Sequence, residues 1–146
     1  MNHWLMKSEP STFSVDALAG RPNKTTAWDG VRNFQVRNML RDQFKKGDEA
    51  FFYHSSCEVP GIVGIVRVVK AGYPDPTDHS KDSAGNPTWY VVDVKLVRKL
   101  RRVITLDELR VHQSGRLSEL LILRRGNRLS VTPVAQSDWD FILSLE

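Results

Sequence analysis

The chain has 146 residues, of which 40% are hydrophobic and 26% are charged; this is typical of one globular domain and excludes a disordered or collagen-like chain. A total of 21 Lys and Arg against 17 Asp and Glu gives a net charge of +4, which favours a polyanionic partner only mildly. The single cysteine, Cys57, excludes an intrachain disulfide framework and a multi-cysteine zinc site. We therefore expect one domain over residues 1–146, a monomer without metal or cofactor.

The N-terminus and the apolar runs indicate a protein without a membrane partner. Lys7 and Glu9 interrupt the first apolar stretch, whereas a signal peptide needs about seven uninterrupted apolar residues. Strictly apolar runs such as residues 120–123 are far shorter than the roughly 18 residues of a membrane span. We expect a cytoplasmic location, or a nuclear one in a eukaryote.

The first third of the chain predicts one strand and two helices. Residues 4–6 form a strand that stops before Pro10, because proline cannot donate to a β-ladder. Residues 14–19 form a short helix that ends at a glycine. A turn or helix cap at residues 29–30 precedes a second helix that continues to Phe44, since apolar residues recur there at helical spacing.

The middle of the chain predicts three strands. Residues 50–55 and 89–97 alternate between apolar and polar positions, as half-buried strands do. Residues 61–69 form a β-branched run without helical period, which is typical of a strand buried on both faces. Residues 72–87 are rich in Pro, Asp, Ser and Gly, and a loop of that length is often functional.

The last part of the chain predicts two capped helices and a strand. Thr105 and Glu108 form a capping box, in which each side chain satisfies a free amide at the helix start. Residues 129–134 form a strand that Pro133 confines to a sheet edge, and residues 137–140 cap a C-terminal helix. Several short strands with bordering helices predict an α+β domain built on a small curled or barrel-like sheet.

The positive charge is concentrated in residues 95–128. This segment holds ten Lys and Arg against three Asp and Glu, a net charge of +7, while the rest of the chain carries −3. Such a distribution is typical of a protein that binds a phosphate backbone, and it is also typical of a solvated face. The predicted phosphate contacts are Arg98, Lys99, Arg101, Arg102, Arg124, Arg125 and Arg128.

Motifs for catalysis, metal binding and nucleotide cofactors find little support. His54 and Ser55 lie close to Cys57 in sequence, but adjacent strand residues point to opposite faces, and no G-x-S-x-G elbow is present. The loop acids and imidazole are spaced neither as an EF-hand nor as a His pair; they are Asp75, Asp78, His79 and Asp82. The glycine patterns of Walker and Rossmann motifs do not occur.

Four large aromatic residues lie at or near the ends of predicted elements, beside polar side chains; they are Trp4, Trp28, Tyr53 and Trp89. An aromatic face can stack on a base, while Asn, Ser, Lys and Glu bind its polar edge. The alternative is that these rings belong to the core, which is the commoner place for a single Trp or Tyr. The residue chemistry alone leaves both interpretations open.

Four segments resemble successive motifs of the EVE domain: WLMKSEP at residues 4–10, WDGVRN at 28–33, FFYHS at 51–55 and GIVGI at 61–65. Three shorter segments also fit: YPD at 73–75, VDV at 92–94 and LSV at 129–131. The resemblance extends in order over nearly the whole chain. It implies an α+β, PUA-like fold, which is a β-barrel of five to six strands with peripheral helices, akin to the YTH readers of methylated adenine in RNA.

The resemblance also implies a nucleic-acid-binding reader, not an enzyme, that holds a modified nucleobase of DNA or RNA in an aromatic and polar pocket beside the barrel. Trp28 or Trp89 is expected to stack on the base, and Asn33 and Ser55 to bind its edge. Lys7 with Arg32 is expected to hold a phosphate or an exocyclic oxygen. The full set of nucleobase-binding residues implied is Trp4, Lys7, Ser8, Glu9, Trp28, Arg32, Asn33, Tyr53, His54, Ser55, Pro74, Trp89 and Ser130.

Two other functions stay open at this point. The ASCH group of PUA-like proteins includes hydrolases of acylated cytidine, and Lys7 and Glu9, two residues apart on a predicted strand, are expected to share a face. A structural or interaction protein with a filled core is the third possibility. The deciding observation is whether the predicted base-binding residues converge on one open cavity.

Overall fold

Six strands and four helices make up the regular structure, and the computed structural model describes all 146 residues. The strands are β1 (His3–Ser8), β2 (Thr25–Ala27), β3 (Glu49–His54), β4 (Gly61–Pro74), β5 (Tyr90–Thr105) and β6 (Val131–Val134). The helices are α1 (Val15–Ala19), α2 (Phe34–Asp42), α3 (Leu106–Val111) and α4 (Gln136–Leu145). Short 3-10 helices lie at Pro22–Lys24 and Leu121–Leu123. No helix combines the length and the apolar composition that crossing a bilayer requires.

All six strands belong to one sheet, in the order β2-β5-β4-β3-β1-β6. β1 pairs in parallel with β3, and the other neighbouring strands pair antiparallel. β6 lies at one end of the sheet, which confirms the edge position predicted from Pro133. β2 and β6 do not pair with one another, so the α+β class is present but the sheet is open, and the closed barrel that was expected is not shown.

The β4–β5 pair is longer than the sequence predicts. β4 continues to Pro74, and β5 runs from Tyr90 to Thr105. Their ladder contains several register shifts, and such bulges interrupt the alternation of side chains while the pairing itself continues. Residues 72–74, predicted as part of a loop, therefore belong to β4, and Tyr73 pairs with Val91.

Hydrophobic clusters cover both faces of the sheet. Trp4, Met6 and Phe52 pack in one cluster with residues of α1 and α2. Leu5 and Phe51 pack in the other with residues of α3 and α4. This division follows from the two-residue period of a strand, which sends successive side chains to opposite faces. The helices are thus divided between the two faces, and the N-terminal pair lies on the face that includes Trp28.

Helix α2 begins later than predicted, at Phe34 instead of after residues 29–30. Asn33 is its N-cap, because the Asn33 side-chain oxygen accepts a hydrogen bond from the Val36 amide at 3.0 Å. Gly30 instead has a φ of +77°, a left-handed conformation that glycine adopts without strain. Residues 28–33 therefore form an irregular segment between β2 and α2, and the helix ends at Asp42.

The other caps confirm part of what the sequence predicts. Thr105 accepts a hydrogen bond from the Glu108 amide at 3.1 Å, but the Glu108 carboxylate turns away to pair with Arg102. Only half of the predicted capping box therefore forms. Helix α4 starts one residue before the predicted cap, with Ala135 at the N-cap position and no side-chain hydrogen bond there. Strand β2 escaped prediction because three residues are too few to show a period.

Candidate functional site

A cavity of about 680 Å³ opens beside the carboxyl end of β1, within the size range of small-ligand sites. Its walls are the end of β1, residues 12–13, the segment from residue 21 through β2, the turn before α2, and Ser130. Five of the predicted base-binding residues line it: Lys7, Ser8, Trp28, Arg32 and Ser130. The structure thus brings together part of the predicted set on one open cavity.

Backbone and hydroxyl hydrogen bonds fix the β1 side of the cavity. The Lys7 amide donates to the Ser130 carbonyl at 2.8 Å, which holds the segment before β6 against the end of β1. The Ser8 hydroxyl donates to the Phe13 carbonyl at 2.7 Å. Ser8 therefore pins the 12–13 segment in place, and its oxygen keeps a lone pair available as an acceptor.

Two aromatic rings line the cavity, Trp28 and Phe13. Trp28 is only 7% exposed; its ring meets Phe52 edge-on at 5.5 Å, and its amide donates to the Val92 carbonyl at 2.7 Å. Phe13 is half-buried and also packs on Phe52, at 6.4 Å between ring centroids. Both rings are therefore held by the core, with Phe13 presenting more of its surface.

Cations outnumber acids around the cavity, where Lys7, Arg21 and Arg32 face the single carboxylate of Asp29. Burial lowers the pKa of the Lys7 ammonium, and no carboxylate offsets that effect. Arg21 lies over the Phe13 ring at 5.3 Å. A half-buried ammonium without a hydrogen-bond acceptor costs free energy. The cavity therefore favours a ligand that provides an oxygen acceptor or an anionic group.

Arg32 is held at the rim of the cavity by several groups. The Arg32 guanidinium donates to the carbonyl of the preceding residue, Val31, over 2.8 Å and to the Asp78 carboxylate over 3.2 Å. Asp75 lies 3.9 Å away on the other side, with one buried carboxylate oxygen that accepts no hydrogen bond. The guanidinium also lies 5.2 Å over the Trp89 ring. Arg32 therefore belongs both to the cavity and to the surface beside it.

Two predicted base-binding aromatics lie in the core instead of the cavity. Trp4 is 2% exposed, and its indole nitrogen donates to a buried carboxylate oxygen of Asp48 at 3.1 Å. Its ring stacks on Phe44 at 4.2 Å. Tyr53 belongs to the hydrophobic cluster on the opposite face of the sheet, and burial raises the pKa of its hydroxyl to about 12.

Four predicted polar residues form structural contacts outside the cavity lining. Glu9 lies beyond the end of β1, where its carbonyl accepts two amides of the following turn. Asn33 caps α2. The His54 ring accepts the Val15 amide at 3.1 Å, and burial lowers the His54 pKa, which suits the neutral, accepting form. The Ser55 amide donates to the Ser8 carbonyl at the end of β1.

The last two predicted base-binding residues lie outside the cavity lining. Pro74 is the final residue of β4. Trp89 directly precedes β5, where its ring stacks on Phe34 with centroids 5.1 Å apart. Neither residue lines the cavity, although Trp89 adjoins it through Arg32.

The predicted phosphate contacts lie away from the cavity, and most are paired with acids. The ion pairs are Arg98–Glu146, Lys99–Asp16, Arg102–Glu108 and Arg124–Glu119. The Glu146 carboxylate also accepts the Arg101 amide, and Arg98 holds the pKa of Glu146 down at about 2. The remaining three guanidiniums are exposed and form no ion pair; they belong to Arg101, Arg125 and Arg128.

The acidic loop uses its carboxylates for its own turns. Asp75, Asp78 and Asp82 each accept a hydrogen bond from the amide two residues further along, as Asx turns do. No group of three or more His, Cys, Asp or Glu side chains is arranged to hold a metal ion.

Sequence reasoning missed ten of the cavity residues: Thr12, Phe13, Arg21, Pro22, Thr25, Thr26, Ala27, Asp29, Gly30 and Val31. The last three lie inside the 28–33 segment that carries the resemblance, so that motif could have identified them. Thr12 and Phe13 lie in the segment after β1. The others belong to the start of the 3-10 helix and to β2, which pairs with β5. Because β2 and β5 lie far apart in sequence, no local pattern predicts that they pair.

The fold and the cavity define a mixed α and β domain with a cation-lined, aromatic pocket at the end of its sheet. The model of the family described as "EVE domain" matches residues 2–145. The chain belongs to the EVE domain family.

Individual relatives resemble the chain over most of their length. Thymocyte nuclear protein 1 of Rattus norvegicus is 46% identical, over 99% of this chain and 74% of the relative. The crystal structure of the human THYN1 protein in complex with 5-methylcytosine containing DNA has a TM-score of 0.90 and 44% identity, over 99% of this chain and 97% of that one. A crystal structure from Pseudomonas putida has a TM-score of 0.86 and 45% identity, over 98% of each chain.

Proposed function

We propose that this protein is a DNA-binding reader that holds a modified base, with 5-methylcytosine as the first candidate, in the cavity beside β1. The observation that carries the proposal is the cavity itself, where two core-supported aromatic rings meet a half-buried ammonium that has no carboxylate partner. The similarity to human THYN1, solved with 5-methylcytosine containing DNA, supports this choice of base. RNA that carries the same modification is the alternative polymer.

The cavity residues divide into roles that suit a flipped-out or single-stranded base. Trp28 and Phe13 supply apolar contact for the base and its methyl group, and stacking on an aromatic ring is worth about 1–3 kcal/mol. The Lys7 ammonium, with three donors and no acceptor, binds a carbonyl oxygen of the base or a neighbouring phosphate. Arg21 and Arg32 lie at the sides of the same cavity and attract the flanking phosphates.

A binding function without catalysis fits these residues better than acylcytidine hydrolysis. β1 ends at Ser8, so Lys7 and Glu9 do not continue on one strand face, and Glu9 does not line the cavity. Glu9, the acid–base group that the hydrolase hypothesis pairs with Lys7, therefore lies outside the cavity that Lys7 lines. The proposal also includes a PUA-like fold and a monomer located in the cytoplasm, or in the nucleus of a eukaryote.

The test is a fluorescence anisotropy titration with oligonucleotides that differ by one methyl group on one cytosine. A buried methyl group is worth about 0.8 kcal/mol, so we expect about fourfold tighter binding of the methylated strand. The titrations are run at about 50 mM and about 200 mM salt, because higher salt measurably weakens binding that depends on phosphate contacts. Parallel RNA oligonucleotides with 5-methylcytidine decide between the two polymers.

Substitution of Lys7 links the binding to the cavity. We expect Lys7→Met to weaken binding of the methylated strand about 10- to 150-fold, since a charge-assisted hydrogen bond is worth about 1.5–3 kcal/mol. Lys46→Met, which removes an exposed lysine outside this cavity, is the matched control. Weak binding that is equal for both strands and insensitive to salt, or equal behaviour of the two variants, contradicts the proposal.

A further inference from the structure

Beside the cavity, two aromatic side chains lie stacked at the protein surface. Phe34, the first residue of α2, and Trp89, the residue before β5, stack with centroids 5.1 Å apart and an angle of 18° between the rings. Phe34 is 60% exposed. Phe34 and Trp89 therefore form a two-ring aromatic surface, of which Phe34 is the more exposed part.

Two guanidiniums accompany the stacked rings. Arg32 lies 5.2 Å from the centre of the Trp89 ring, and Arg37 lies 5.2 Å from the centre of the Phe34 ring. The Arg37 guanidinium donates to the Thr88 carbonyl and to the side-chain oxygen of Asn38, and it has no carboxylate partner. Exposed aromatic rings beside arginines are the composition that binds bases and phosphates of single strands.

Backbone contacts hold both rings in position. The Asn33 cap fixes the start of α2 and with it the position of Phe34. The Asp75 amide donates to the Trp89 carbonyl at 2.9 Å, and Arg37 donates to the adjacent Thr88 carbonyl at 2.7 Å. The surface is therefore largely formed before any ligand binds, which lowers the entropic cost of binding.

Arg32 connects this surface to the cavity, since the same residue lines the cavity and lies over Trp89. We propose that Phe34 and Trp89, with Arg32 and Arg37, form a second stacking site that binds the nucleotide next to the base held in the cavity. This inference rests on the proposed function. A nucleic-acid strand is favoured over a protein segment as the occupant because both cations flank the rings and Arg37 carries no compensating acid.

The test uses single-stranded oligonucleotides in which 2-aminopurine, whose fluorescence falls on stacking, follows the methylated cytosine or precedes it. We expect the wild-type protein to quench one of the two probes and Phe34→Ala to abolish that quenching. Phe34→Ala is also expected to weaken binding about tenfold, within the range of base–aromatic stacking, while the ratio of methylated to unmethylated affinity stays the same. Phe34→Trp is expected to restore both signals.

Two controls separate stacking from lost apolar surface or altered folding. Phe34→Leu keeps apolar bulk without an aromatic face, and Val111→Ala removes another exposed apolar side chain, 75% exposed on α3. We expect Phe34→Leu to behave like Phe34→Ala and Val111→Ala like the wild type. Replacing the neighbouring nucleotide with an abasic one is expected to remove the difference between wild type and Phe34→Ala.

The outcomes distinguish this inference from the function on which it rests. Unchanged binding and unchanged quenching in Phe34→Ala overturn the stacking site, as does a loss of affinity that persists with the abasic neighbour. A wild-type protein that binds methylated and unmethylated strands equally contradicts the proposed reader function, whatever Phe34→Ala does. If the wild-type protein binds both strands equally but still quenches the probe, and Phe34→Ala abolishes that quenching, the result supports the stacking site.

Discussion

Trp4→Phe tests whether the first tryptophan belongs to the core, as its contacts indicate, or to the binding site. The substitution removes the indole nitrogen that donates to buried Asp48 at 3.1 Å, and a hydrogen bond to a carboxylate is worth about 1.5–3 kcal/mol. The smaller ring keeps the stacking on Phe44 but leaves a gap worth about 1 kcal/mol. We therefore expect a loss of about 2.5–4 kcal/mol in the free energy of unfolding.

The assay is urea and thermal unfolding followed by circular dichroism, together with a titration of methylated DNA. For a chain of this length 1 kcal/mol shifts the melting temperature by about 2–4 °C, so the expected fall is roughly 5–15 °C. The affinity for methylated DNA is expected to stay within about twofold of the wild type. Trp28→Phe provides the contrast, because Trp28 lines the cavity and its replacement is expected to weaken binding. A Trp4→Phe protein with normal stability and weakened binding refutes this reasoning.

Three further substitutions or conditions probe other contacts. Burial lowers the pKa of Lys7 in the free protein, and the anionic groups of bound DNA are expected to raise it again. Calorimetry in two buffers is therefore expected to detect proton uptake on binding. The affinity is expected to fall as the pH rises through the lowered pKa. Arg98 holds the pKa of Glu146 at about 2, below its ordinary value of 4.5. This exposed pair contributes about 1 kcal/mol or less to the free energy of unfolding, and that contribution is complete above pH 4.5 and is lost towards pH 2. Glu146→Gln is expected to lose less unfolding free energy than the wild type over that pH range, and equal acid profiles argue against the pair's role. Gly61→Ala would place a methyl group 2.5 Å from the Ile104 carbonyl, and unfolding experiments are expected to show a loss of about 1–3 kcal/mol.

Local patterns predicted most of the elements, because they depend on residues that are neighbours in sequence. The alternation in residues 50–55 places Phe51 and Phe52 in different clusters. Gly20 ends α1 as predicted, and Ser14, predicted as the first helical residue, is its N-cap. Pro133 correctly identifies an edge strand. The N-cap of α2 was misplaced because residues 29–30 and Asn33 all have capping chemistry, and only the backbone conformation decides between them.

The site was harder to predict because its walls come from separated parts of the chain. The 28–33 motif contains Trp28 and Arg32, which line the cavity, and also Asn33, which caps a helix. Neither alternation nor spacing distinguishes these roles. Phe13 lies in the segment after β1 that Ser8 holds in place, and Arg21 directly precedes the 3-10 helix. No sequence pattern marks either residue as part of a cavity.

The distribution of paired and unpaired cations predicts how strongly salt weakens DNA binding. Four of the seven basic residues predicted to bind phosphates already have carboxylate partners. Of the three cavity cations, Lys7, Arg21 and Arg32, only Arg32 has such partners. If these three cavity cations make the phosphate contacts, the logarithm of the affinity for a single strand falls with the logarithm of salt with a slope of about −2. If all seven predicted residues contribute as well, the slope is about −7. We expect the shallow slope, and Arg125→Ala is expected to leave it unchanged; a steep slope that Arg125→Ala reduces would restore the basic segment as the main phosphate contact.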